Sequence, residues 1–138
     1  MRKYITEGEG LPKWPSPISH AVVVNNVCHL SGQLSISTSG EYLPGTALEE
    51  ARRAFENLFC ALRAAGFAIG DITFIDIAFV DLDDLPQVNE LFSKLFPEGQ
   101  RPARTVYQAA ALPYGGRVKV MGVAIRDATR ETAGESLN

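Results

Sequence analysis

Ala21-Val22-Val23-Val24-Asn25-Asn26-Val27-Cys28-His29-Leu30-Ser31 decides the architecture. Two runs rich in β-branched residues flank a two-residue turn, and asparagine tolerates the positive φ that such a turn demands. This hairpin sets Val24 opposite Val27 and Val22 opposite His29, and places His20 and His29 on one face. Gly32-Gln33 ends the second strand. Residues 35–45 carry Ser, Thr, Gly and Pro and predict a loop, with room for a short strand.

Downstream, Leu48, Ala51, Phe55, Leu58, Phe59, Leu62 and Ala65 recur at helical spacing. Thr46 with Glu49 predicts a capping box, and Gly66 a C-terminal cap. Glu50, Arg53, Glu56 and Arg63 are expected on the solvated side. Residues 72–80 predict a mostly buried strand. Asp84 is expected to cap a second helix, with Pro86 in its first turn, Val88, Leu91, Phe92, Leu95 and Phe96 along its apolar side, and Pro97 as its stop. Strands are predicted over 104–111 and 118–125. The order is β-β-α-β-α-β-β in one domain, residues 1–127, with a polar, frayed tail over 128–138. Two helices cannot cover both faces of such a sheet. The expected fold is therefore an α+β sandwich, a mixed sheet with both helices on one face. Its last strand is apolar at both alternations, so the second sheet face is expected to bury itself by self-association.

The chain has 138 residues, enough for one core without a disulfide or metal staple. Its apolar fraction of 46% and charged fraction of 21% exclude global disorder. No apolar run reaches the length of a membrane-spanning helix. The 13 basic and 16 acidic residues give a net charge of −3, which argues against a nucleic-acid partner. Met1-Arg2-Lys3-Tyr4 lacks the apolar core of a signal peptide, and Cys28 and Cys60 form no CxxC, so reduced thiols and a cytoplasmic location are expected.

Few residues offer chemistry. His20 and His29 could begin a metal site, but no third ligand is signalled, and two strand histidines with ordinary partners explain them as well. Asp81, Asp83 and Asp84 suit helix capping better than a cation. Neither cysteine adjoins an activating base. No phosphate-binding glycine loop, nucleophile elbow or cofactor motif occurs, so no metal or cofactor is expected. Arg104 stands out. Arg101-Pro102-Ala103 delivers it stiffly to a strand entry, where its planar fork would suit a carboxylate. A surface arginine in a salt bridge is the plainer reading of the same residue.

Taken in order, Ser31-Gly32-Gln33, Pro44-Gly45, Glu56-Asn57-Leu58, Ala65-Gly66, Val88-Asn89-Glu90, Phe96, Arg101-Pro102-Ala103-Arg104-Thr105 and Leu112-Pro113 resemble the RidA family. That family is also called YjgF or reactive intermediate deaminase, with the older labels endoribonuclease L-PSP and translation initiation inhibitor. The resemblance runs from about Ser16 to Ile125. It implies a chorismate-mutase-like α+β fold, a homotrimer with inter-subunit clefts, and hydrolysis of small carboxylated enamines or imines to 2-oxo acids and ammonia. It implies that Arg104 grips the substrate carboxylate and that Ser31, Gly32 and Gln33 help position the ligand. Three positions depart from the family. Met121 stands where active members carry a glutamate, Ile18 where they carry a cleft tyrosine, and Val106 where a cysteine is common. A thioether cannot exchange a proton. The resemblance is therefore to a divergent subgroup, and three readings follow from it. The first is a deaminase in which Arg104 anchors the substrate and water attacks, either with positioning alone sufficing or with another group, His20 foremost and Tyr107, His29 or Glu98 after it, in place of the glutamate. The second is a non-catalytic trimeric binder of small carboxylate metabolites. The third, remote, is a ribonuclease.

Overall fold

The computed structural model describes residues 1–127; the predicted tail over 128–138 lies outside them. Six strands form one sheet: β1 (Arg2–Ile5), β2 (Ala21–Val24), β3 (Val27–Gln33), β4 (Ile72–Phe79), β5 (Ala103–Gln108) and β6 (Val118–Ile125). Two helices accompany it, α1 (Ala47–Ala64) and α2 (Leu85–Leu95). The sheet order is β1-β2-β3-β6-β4-β5, and only the β4–β5 pair is parallel. The fold is the α+β sandwich expected, with one strand more at the start: β1 pairs with β2, making the order β-β-β-α-β-α-β-β.

The hairpin has the expected register, Val24 with Val27 and Val22 with His29, and Asn25 takes a φ of 54° in the turn. The helix α1 starts at the Thr46–Glu49 capping box. It ends with Gly66 at φ 86°, whose N–H donates to Arg63 O while Phe67 N–H donates to Leu62 O. Residues 35–45 contain one isolated bridge, Ile36 with Tyr42.

Three expectations fail locally. Asp84 makes no capping hydrogen bond, because a 3-10 turn over Leu82–Asp84 precedes α2; Asp81 caps that turn, accepting from Asp83 N–H at 2.9 Å. The strand β5 stops at Gln108 rather than at 111. Glu50 is fully buried rather than solvated. It accepts from Tyr42 Oη at 2.6 Å, Arg117 N–H at 2.9 Å and Gly45 N–H at 3.2 Å. Arg53 is half-buried and donates to Ser35 Oγ and Leu43 O. The two thus tie α1 to the loops at residues 35–45 and 115–117. Burial, reinforced by the hydrogen bond to Glu50, pushes the Tyr42 phenol up to about 12.

Both helices pack on the sheet face formed by Cys28, Leu30, Ile75, Ile77, Val118, Val120 and Ala124. Strand alternation turns Val22, His29, Val123, Met121, Asp76, Thr105 and Tyr107 to the opposite face. Among the described residues, no helix covers that face. Among the described residues, no helix is long and apolar enough to cross a membrane.

Candidate functional site

Arg104 stands in β5, an edge strand, in register with Ile75. Ile75 is buried in the helix-side core, so Arg104 also projects toward the helices. Its Cζ lies 4.8 Å from the centre of the Phe92 ring, and its Nη1–H donates to Asn89 Oδ1 at 2.7 Å. Phe92 is itself held by Phe55 and Phe96, the latter ring 4.7 Å away. Ring and amide therefore fix the guanidinium plane. Arg104 lines an open groove of about 390 Å³ together with Asn89, Phe92, Ser93, Arg101 and Pro102. Arg101 helps shape it by donating from Nε to Phe96 O at 3.1 Å. Two hollows of about 510 Å³ lie elsewhere, one against Cys60 and Arg63 and one along 6–13, and neither gathers such a constellation. Cys28 is fully buried, which pushes its thiol up to about 11 and leaves it unreactive.

A second group of candidate residues meets on the uncovered sheet face. Leu30 pairs with Gly122 and Gln33 with Val120. Between those pairs, Ser31 and Gly32 oppose Met121 alone, which is a β-bulge. A Cβ on Gly32 would meet Lys119 Cδ at 3.0 Å, so glycine lets the lysine stem lie flat there. Ser31 Oγ–H donates to Ser19 O, which draws the Ile18–His20 segment alongside. Ile18 is 43% exposed at this margin.

Ile18, Ser31, Gly32 and Met121 thus gather in one place, and Arg104 with the Asn89–Phe92 support in another. Met121 pairs with Asp76, one residue beyond Ile75, so it lies on the opposite sheet face from Arg104. A single chain does not unite the two groups. Val106 packs against the helix-side core.

His20 is 1% exposed, whereas His29 is exposed. His20 Nε2–H donates to Pro12 O at 2.9 Å, and Nδ1 accepts from the Gln33 amide at 3.0 Å. These partners select the Nε2–H tautomer. They also give Gln33 work inside the fold, where it is fully buried. No three His, Cys, Asp or Glu side chains gather to hold a metal among the described residues.

Residue spacing did not single out Asn89, Asp76 or Thr105. The available signal was Asp76 itself, the one charged residue in the apolar run Ile72-Thr73-Phe74-Ile75-Asp76-Ile77-Ala78-Phe79.

The family model described as Endoribonuclease L-PSP matches residues 12–126. A mouse protein named 2-iminobutanoate/2-iminopropanoate deaminase is 36% identical over 127 residues, covering 91% of this chain and 93% of the mouse protein. The crystal structure of Escherichia coli TdcF with bound serine superposes with a TM-score of 0.82 at 30% identity, covering 91% of this chain and all of that one. A RidA structure from an Antarctic Psychrobacter gives the same TM-score and identity, over 90% of this chain and all of that one. The chain belongs to the RidA/YjgF family, the family of the Endoribonuclease L-PSP model.

Proposed function

We propose that this protein is a deaminase of small 2-imino acids and their enamine tautomers, releasing 2-oxo acids and ammonia in a cleft completed by a second copy of the chain. The observation that carries this reading is Arg104, whose guanidinium is held by Phe92 and Asn89 at the wall of an open groove. That arrangement suits bidentate capture of a carboxylate. The names of the relatives support imine hydrolysis. Val22, Val123 and Phe74, with the exposed Tyr4, Tyr107 and Ile125, give the uncovered sheet face an apolar character suited to self-association into the family's trimer. Such packing would bring the Arg104 edge of one copy to the Met121 face of another. His20 stays outside this reading, because both ring nitrogens are engaged within the fold.

The decisive assay follows 2-iminopropanoate, generated in situ by an amino-acid oxidase acting on alanine, against its spontaneous hydrolysis. Wild type should accelerate the reaction, and Arg104→Ala should lose at least about 100-fold in kcat/KM, the scale of one charged, bidentate contact. No acceleration by wild type overturns the reading, as does a stable monomer in light scattering. A second reading rests on Met121, which puts a thioether where the family resemblance places a glutamate. It is a non-catalytic binder of small carboxylates, marked by Arg104-dependent binding of a 2-oxo acid without turnover.

A further inference from the structure

On the uncovered face, one line of residues crosses four strands: Thr105 in β5, Asp76 in β4, Met121 in β6 and the Ser31–Gly32 bulge in β3. Adjacent strands stand about 4.8 Å apart, so each neighbour in the line is in side-chain contact range. Asp76 is the acid of this line. It is half-buried, and Thr105 Oγ1–H donates to its Oδ1. The second oxygen, Oδ2, carries no such bond among the described residues. Lys119, two residues before Met121 on the same face, lays its stem over Gly32 on the β3 side.

Resting on the deaminase reading above, we propose that Asp76 is the proton-transfer residue of this site, its carboxylate held by Thr105 and presented across the strand pair beside Met121. In the reaction, Asp76 takes a proton from water as the water oxygen bonds to the imine carbon and the C=N pair moves to nitrogen. It returns that proton to nitrogen, giving the carbinolamine. A second transfer, from the hydroxyl to nitrogen, breaks the C–N bond as the hydroxyl oxygen becomes the carbonyl. Both protons of the water end on ammonia and its oxygen on the 2-oxo acid. Met121 in this arrangement is an apolar wall that keeps bulk water from the carboxylate.

The test uses the full chain and 2-iminopropanoate made in situ. Asp76→Asn keeps the shape and should lower kcat by about 100-fold or more with KM within threefold, the usual scale of general acid–base catalysis. Adding Met121→Glu to Asp76→Asn should return at least about tenfold, because the new carboxylate stands directly across the strand pair. Thr105→Val leaves Asp76 in place and should lower kcat about tenfold at unchanged KM; it serves alone if Asp76→Asn does not fold. An active wild type with Asp76→Asn or Thr105→Val at undiminished kcat overturns the role of Asp76 and leaves the deaminase reading standing. A silent wild type overturns both.

Discussion

Glu50 shows what a single buried charge does for this fold. Its two oxygens take hydrogen bonds from Tyr42 Oη, Gly45 N–H and Arg117 N–H, and the Arg117 Nε lies 3.9 Å away. The two backbone donors, Gly45 N–H and Arg117 N–H, belong to loops, which have no ladder to satisfy them. Glu50→Ala would remove the fully buried acceptor that these donors share. We expect a loss of about 3 kcal/mol in urea unfolding, the usual cost of breaking a buried charged cluster. Helical spacing assigned Glu50 to the solvated side with Arg53. That failed because periodicity sees only the helix, whereas the groups covering Glu50 arrive from residues 42–45 and 115–117. Arg104 could be marked from its own neighbours in sequence only as a candidate, with a carboxylate anchor and a surface salt bridge as equal readings. Its supports, Asn89 and Phe92, were legible only as a family motif and a helix face.

Strand β6 is the element on which the others depend, since it lies between β3 and β4 and carries Met121. Its glycine has a stated reason. A Cβ at Gly122 would meet Phe74 O at 2.7 Å and Ile75 Cδ1 at 3.0 Å. The carbonyl is backbone and cannot swing away, so Gly122→Ala should lower stability by about 2 kcal/mol, seen as a lower urea midpoint at unchanged slope. The bounds of β6 and the hairpin register were readable from the sequence, because β-branched runs and an Asn-Asn turn are local signals. The strand β1 was not. Arg2-Lys3-Tyr4-Ile5 has one buried residue, and its pairing to β2 comes from across a fifteen-residue gap. The significance of Asp76 was hidden for the same reason, since Thr105 and Met121 join it only through strand order.

Among the described residues the sheet is two-sided: helices cover one face, and they leave uncovered an apolar face with a polar line crossing it. Apolarity on both alternations of the last strand made that second face legible in sequence, but the opposed aim of Arg104 and Met121 appears only once register is known. That opposition has a consequence for the genetics of the protein. If each cleft takes its anchor from one copy and its proton-transfer face from another, two defective chains can complement. Arg104→Ala and Asp76→Asn chains should each be silent alone. Co-assembled in equal amounts, they should recover about a quarter of wild-type turnover, because about one cleft in four draws both intact halves. Were both residues to serve the same cleft from one chain, the mixture would stay as silent as its parents.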